Sequence, residues 1–228
     1  MLRPRWILLH LLIVVLVAVM ISLGFWQLRR LDERRRSNAE VRSRTSEQPV
    51  AIESVANPGT DGDALTALRY RAVTARGEYV ASASTVVASR TQDGVPGSWI
   101  VTPMRVATGT VLIVRGFARL GADGTTSVPS TPSGTVDVDG YALAIGGFDN
   151  IAKHDLEALR HATPGAFPVV VQAKASRPSD DAGLATIALP SLDDGPHLSY
   201  AVQWFLFASI AALGYPFALR RAAGQRSA

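Results

Sequence analysis

Two uncharged stretches, one near each end of the chain, constrain this sequence more than any other feature. Residues 6–28 and 198–219 contain no Asp, Glu, Lys or Arg. A helix needs about 20 apolar residues to cross a hydrocarbon core roughly 30 Å thick, and both stretches reach that length. The sequence therefore predicts two transmembrane helices, with enough chain between them for one domain of ordinary size.

The region between the two stretches reads as a succession of short β-strands. Residues 110–120 are the clearest buried strand, 153–162 are the one soluble helix with a fair pattern, and 184–189 are predicted as a last short strand. Successive strands without intervening helices favour an antiparallel barrel or sandwich. The predicted fold class is an α+β membrane protein, with two transmembrane helices flanking one extracytoplasmic, antiparallel β-rich domain. The predicted boundaries are a cytoplasmic N-terminus at 1–5, spans at 6–28 and 198–219, the β-rich domain at 29–197 and a cytoplasmic C-terminus at 220–228.

Basic residues concentrate beside the spans. Seven arginines lie between residues 29 and 44, whereas acidic residues outnumber basic ones between residues 45 and 197. The pI of about 9.8 is therefore an effect of the membrane flanks. An acidic middle domain argues against nucleic-acid binding, and basic flanks commonly meet anionic lipid headgroups.

Charge alone leaves the topology open. The arginines after the first span favour a cytoplasmic domain, whereas Asp193 and Asp194 before the second span, with Arg220 and Arg221 after it, favour the reverse. We expect both termini in the cytoplasm and the domain outside. The sequence Ser22-Leu23-Gly24 is a weak cleavage site, so removal of the first span stays an open alternative.

Several classes of chemistry are disfavoured by residue types. The chain has no cysteine, which excludes disulfides, thiolate zinc sites and cysteine nucleophiles, and its three methionines do not form a soft-metal site. No phosphate-binding loop with a following Lys-Ser or Lys-Thr occurs, and no Gly-x-Ser-x-Gly elbow occurs. We therefore predict no catalytic residue and no enzyme activity.

The strongest candidate site lies where an acidic loop meets the second span. His197 stands at the mouth of that span, and Tyr200 and Trp204, four residues apart, share one helix face. Such aromatic residues belong at the headgroup level, and a neutral imidazole can ligate a metal, including haem iron. The alternative is that His197 only caps the helix entrance. His10 is interpreted as a helix-packing residue, with an intramembrane function as its alternative, and His154 and His161 as part of a solvated helix face.

Five segments, in this order, resemble the signature of the surfeit locus protein 1 family. They are Leu23 to Arg30 (Gly-x-Trp-Gln-x-x-Arg), Arg69 to Tyr79 (Tyr-Arg-x-Val and Gly-x-Tyr), Gly97 to Met104 (Thr-Pro), Val111 to Phe117 (Arg-Gly) and His197 to Phe205 (His-x-x-Tyr-Ala-x-x-Trp-Phe). The resemblance implies two membrane spans around an extracytoplasmic β-rich domain. It also implies a role in assembling an aa3-type haem-copper cytochrome c oxidase, near the step at which haem a enters subunit I.

The resemblance carries site residues with it. Some bacterial members are held to bind haem a, and the matching ligand here is His197, with Tyr200, Trp204 and Trp26 lining the site. Arg115 and Gly116 are candidates either for partner contact or for folding of the domain. The chain departs from the family at Gly195-Pro196, where an Asn is usual before the His, at Met104 for Phe and at Phe117 for Trp.

Partners and location follow from the same resemblance. The implied partners are oxidase subunit I, haem a synthase and membrane lipids. The excess of Arg over Lys and the missing transit-peptide pattern favour a bacterial plasma membrane. Two other functions stay open: a scaffold that holds oxidase subunits without binding haem, and an unrelated membrane-tethered sensor or binding domain.

Overall fold

Two long helices stand at the two ends of the chain, and a β-sheet domain lies between them in sequence. The structure is a computed structural model that describes residues 4–180 and 183–224; the outermost parts of both predicted termini, 1–3 and 225–228, lie outside the described residues. Residues 4–40 together with 191–224 form one compact unit, and the described residues between 41 and 190 form the other. The predicted α+β class, with two candidate membrane helices flanking a β-rich domain, is confirmed.

The two terminal helices are α1, Pro4–Ser46, and α4, His197–Gly224. Each is long and apolar enough to cross a membrane. Pro4 begins α1, where its missing N–H costs no helical hydrogen bond. Beyond the uncharged stretch α1 continues without a break to Ser46, because residues 29–46 include seven Arg, which favour helix, and contain no Gly or Pro that would end it.

Helices α1 and α4 pack as an antiparallel pair with a repeat of seven residues. The less exposed positions of α1 include Gly24, Leu31 and Asn38, and those of α4 include Ala201 and Ala208. A repeat of 3.5 residues keeps one seam of each helix turned toward its partner. Gly24 lets the two helices approach closely, because a Cβ there would stand 2.6 Å from the ring of Phe205, which would have to move.

The β domain is a seven-stranded sheet that closes on itself. Its strand order is β1-β2-β6-β7-β5-β4-β3, and a further pairing of β2 with β4 completes a ring of five strands. The strands are β1 Val50–Ala51, β2 Arg71–Tyr79, β3 Thr85–Gln92, β4 Val95–Val106, β5 Gly109–Arg119, β6 Thr135–Ala144 and β7 Ala166–Arg177; the domain also contains helices α2 Gly62–Ala67 and α3 Asn150–Ala162.

Two details differ from the sequence prediction. The sheet is mixed, because β1 pairs with β2 and β5 with β7 in parallel; the long connection through β6 and α3 returns the chain in the direction of β5. The strand predicted at 184–189 is wrong: Ala185 forms a single antiparallel bridge with Phe117. The pairing of β5 with β7 ends at Val114, so only the few residues of β5 after Val114 are open for pairing with residues 184–189.

Strand β5 explains how one domain holds two hydrophobic clusters. Val111 and Ile113 point into one cluster with β2 and β6, whereas Leu112 and Val114 point into the other, which is covered by Leu156 of α3. Side chains alternate faces along a strand, so a strand buried on both faces must be apolar throughout. This is why residues 111–114 are a continuous apolar run.

Candidate functional site

His197 opens α4 and lies against Gln27 of α1. Its Nδ1 is 2.9 Å from Gln27 Oε1. Because the amide oxygen only accepts, Nδ1 donates in this contact, and the neutral ring then carries its lone pair on Nε2. In the part of the chain that the structure describes, Nε2 has no hydrogen-bond partner. A ring nitrogen held in this way is what a metal-ligating imidazole presents.

The turn before His197 keeps the approach to the ring open. Gly195 has φ +65, in the left-handed region that favours glycine, and a Cβ there would stand 3.6 Å from His197 Nε2. Pro196 carries no N–H, and its carbonyl oxygen accepts from the Tyr200 N–H at 3.1 Å and from the Ser199 hydroxyl at 2.7 Å. The departure from the family at Gly195-Pro196 therefore forms a compact helix start beside an unobstructed imidazole edge.

Polar residues of α1 fasten the acidic loop that leads into this turn. Arg34 Nε and Asn38 Nδ2 donate to the Asp193 carbonyl oxygen at 3.2 and 2.9 Å, and Arg35 pairs with Asp194 at 2.8 Å. The Ser191 hydroxyl, the Gly195 N–H and Arg34 hold the pKa of Asp193 below its usual value. The hydrogen bond from Arg35 to Asp194 raises the pKa of that guanidinium. Part of the arginine cluster thus positions the loop before His197.

The aromatic residues predicted to line the site present their rings at the surface. Trp26 is 44% exposed and Tyr200 46% exposed, while Trp204 is half-buried. Trp204 forms an edge contact with Phe207, and Arg30 lies 5.7 Å above the Trp26 ring. Among the residues described, none of these three rings contacts the His197 ring. The structure brings His197 together with Gln27 and leaves the rings of Trp26 and Tyr200 exposed.

The chemistry available here is that of a single imidazole ligand. No group of three or more His, Asp or Glu side chains that could hold an ion occurs among the described residues. One imidazole would nevertheless be enough to hold a haem, because the macrocycle itself supplies the other nitrogen ligands of the iron. Nε2 of His197, without a partner and beside Gly195, fits that requirement.

Sequence reasoning missed the residues that support His197. The sequence pattern includes Gln27 only as part of a motif, predicts that the arginines from 29 to 36 face lipid headgroups, and gives no role to Asn38. Their positions continue the seven-residue repeat of α1, in which Gln27 and Arg34 are seven apart and Leu31 and Asn38 are seven apart. Following that repeat past the uncharged stretch would have indicated which polar residues face α4.

Arg115 and Gly116 lie inside the β domain, on β5. The Arg115 side chain has no exposed surface and pairs with Asp180 through Nε at 2.6 Å and Nη2 at 2.8 Å. It also donates to the carbonyl oxygens of Pro129 and Ser130 and lies 5.7 Å from the Tyr79 ring. A Cβ on Gly116 would stand 2.8 Å from the Ala185 oxygen. These contacts favour the folding role among the two alternatives.

The remaining histidines have other surroundings. Tyr215 Oη and His10 Nδ1 are 2.6 Å apart, so His10 joins the two helices at the end opposite His197. The side chains of His154 and His161 are 84% and 72% exposed on α3, as the solvated-face interpretation predicts.

Comparisons with known proteins agree on one family. The family model described as "SURF1 family" matches residues 14–209. Uncharacterized SURF1-like proteins of Mycobacterium bovis and of two strains of Mycobacterium tuberculosis are 28% identical to this chain over 228 residues. These alignments cover 94% of this chain and 83% of each relative.

Proposed function

Because this chain belongs to the SURF1 family of cytochrome c oxidase assembly factors, we propose that it assists the insertion of haem a into subunit I of an aa3-type oxidase. The family acts in assembly rather than as an enzyme. The observation that carries the haem part of the proposal is the Gln27–His197 hydrogen bond, which leaves Nε2 of His197 available as a ligand.

The surroundings of His197 suit an amphipathic macrocycle. Nε2 would bind the haem iron, and the exposed rings of Trp26 and Tyr200 offer flat apolar surface to the macrocycle. Haem a, once in the oxidase, supplies the iron that carries electrons and binds oxygen. The work of this chain is to hold the group reversibly: one ligand and an open surface allow release more readily than an enclosed, two-ligand pocket.

The proposed partners are oxidase subunit I, haem a synthase and the lipids around the helices. Support comes from the outer faces of α1 and α4, which expose large apolar side chains outside the seam. Such faces suit lipid and the transmembrane helices of other subunits. A scaffold that binds subunit I without haem would use the same faces but would not need Nε2 of His197.

We place the chain in the plasma membrane of a bacterium, with the β domain outside the cytoplasm. The ion pairs of Arg34 and Arg35 with Asp193 and Asp194 support this topology, because they neutralise charge that otherwise favours a cytoplasmic domain. An alkaline phosphatase fusion after Pro190 should be active, and one after Gly224 inactive. The reverse pattern would refute the topology.

The central experiment is the visible spectrum of the full chain, purified in detergent after co-expression with haem a synthesis. We expect a haem a band in the wild type, loss of the band in His197→Ala, and its retention in His154→Ala, which removes an exposed imidazole elsewhere. Equal bands in the wild type and in His197→Ala would refute ligation by this residue.

A second readout separates haem delivery from scaffolding. Retention of subunit I in a pull-down, with no haem band in any variant, would favour the scaffold and refute the haem proposal. Gln27→Leu should leave pull-down of subunit I intact while weakening the haem band, because the Nδ1 proton then loses its acceptor.

A further inference from the structure

The β domain contains a cavity that the proposed role in haem delivery does not use. It lies where α2, the turn into β2 and the end of β6 meet, and has a volume of about 490 Å³. Pockets of this size hold small ligands. Its walls include Leu65, Leu143 and Phe148, so most of the lining is apolar.

One charged side chain, Arg69, stands at this cavity. Arg69 is exposed, its guanidinium lies 5.6 Å above the Tyr70 ring, and it forms no ion pair with the residues described. Its neighbours are engaged elsewhere: Arg71 pairs with Glu47, and Arg44 donates to the carbonyl oxygens of Thr66 and Arg69. A guanidinium stacked on an aromatic ring and lacking a carboxylate is well placed to accept one.

The turn that presents Arg69 is strained. Tyr70 has φ 59, in the left-handed region, which is costly for a bulky residue other than glycine. The conformation is held by the Tyr70 N–H bond to the Ala142 oxygen at 2.9 Å and by the Arg71 N–H bond to the Leu68 oxygen at 3.0 Å. Tyr70 and Phe148 both pack against the hydrophobic cluster that contains Leu156, and both line the cavity together with Arg69.

Two residues of the cavity lining carry no side chain. Gly146 and Gly147 follow β6, and a Cβ on either would have no atom within 4 Å. The space in front of them is therefore open, and neither glycine has positive φ that would require its conformation. A larger residue at position 146 would therefore add bulk at the lining of the cavity with no atom in the way of its Cβ.

We propose that this cavity binds a small amphipathic anion, namely a carboxylate carried on an aromatic or alkyl body. Arg69 pairs with the carboxylate, and Tyr70, Leu143 and Phe148 contact the apolar body. A single guanidinium among apolar walls suits a monoanion better than a phosphate, which needs several donors. The site is independent of His197.

The test uses 3-phenylpropionate and its uncharged analogue 3-phenylpropanamide, with the full chain in lipid nanodiscs. Saturation-transfer difference NMR measures binding, and empty nanodiscs give the lipid background. We expect 3-phenylpropionate to bind about tenfold more tightly than the amide. Arg69→Gln should remove that preference, and Gly146→Leu should abolish binding of both probes by filling the cavity.

A matched control is Arg119→Gln, which removes the same charge from an exposed arginine at the end of β5 and should bind as the wild type does. Equal affinity for the acid and the amide, or unchanged binding by Gly146→Leu, would overturn the proposal. Because Gly146→Leu leaves the strained turn untouched, it decides the question even where Arg69→Gln fails to fold.

Discussion

Arg115 offers the sharpest test of how the β domain is held together. Its guanidinium is fully buried, and the partner carboxylate of Asp180 is 14% exposed. Arg115→Leu would leave Asp180 without its cation and the carbonyl oxygens of Pro129 and Ser130 without their donors. Breaking a buried ion pair from one side typically costs about 3–5 kcal/mol.

That cost translates into a clear change in melting temperature. For a chain of this size about 1 kcal/mol corresponds to roughly 2–4 °C, so Arg115→Leu should melt about 6–20 °C below the wild type. The measurement is thermal unfolding of the full chain in detergent, followed by the β signal in circular dichroism. Arg119→Leu, which changes an exposed arginine on the same strand, should stay within about 2 °C of the wild type.

The double variant Arg115→Leu with Asp180→Leu completes the argument. Removing both charges eliminates the unpaired carboxylate, so the double variant should be more stable than Arg115→Leu alone. A wild-type melting temperature for Arg115→Leu, combined with reduced binding of an oxidase subunit, would refute the folding role and restore the partner-contact alternative.

Three further predictions rest on single contacts. Gly24→Val should weaken the α1–α4 pair by about 1–3 kcal/mol, because the new side chain collides with Phe205. Gly214→Val is the control: a Cβ there has no atom within 4 Å, so the pair should keep its stability. Thermal unfolding in detergent compares the two variants. Tyr215→Phe and His10→Phe should each lower the free energy of unfolding by about 0.5–2 kcal/mol, because each removes the same hydrogen bond. The double variant should therefore lose no more than the larger of the two single losses. Additive losses would disprove that the two residues act through one hydrogen bond. Asp149 caps α3 and pairs with Arg90, which holds the pKa of its carboxyl well below the usual range. A lowered folded-state pKa stabilises the fold at pH values above the unfolded value of about 3.9. Because Asn caps a helix about as well as Asp, Asp149→Asn loses chiefly the ion pair with Arg90 and should be less stable than the wild type at pH 7 by about 0.5–1 kcal/mol. The difference should shrink as the pH falls below about 4, and a difference that is constant from pH 7 to pH 2 would contradict this reasoning.

Several elements could be predicted from residues alone because their cause is local. Residues 111–114 are apolar on both faces, and β5 is indeed buried on both faces. The helix at 153–162 begins three residues earlier, at Asn150, because Asp149 accepts from the N–H groups of Ile151 and Ala152. Each of these outcomes depends on neighbours within a few positions.

Other features depend on residues far apart in the chain. The sheet closes because β2 pairs with β4, with Glu78 opposite Arg105 and Tyr79 opposite Met104. No local sequence pattern predicts that pairing. The parallel pairing of β5 with β7 follows from the path of the chain through α3. His197 was identified as a candidate from its place at a span, but Gln27, 170 positions away, becomes its partner only once the two helices are antiparallel.

The two hydrogen bonds across the helix pair also set a length. Between His10 and Gln27 α1 rises by about 26 Å, and between His197 and Tyr215 α4 rises by about 27 Å, at 1.5 Å per residue. This is slightly less than the roughly 30 Å of an average hydrocarbon core. In the proposed membrane orientation both polar contacts therefore lie close to the two boundaries, and hydrophobic mismatch acts on them directly. Longer acyl chains would draw His197 and Gln27 away from water, so occupancy of His197 should depend on bilayer thickness as well as on the ligand.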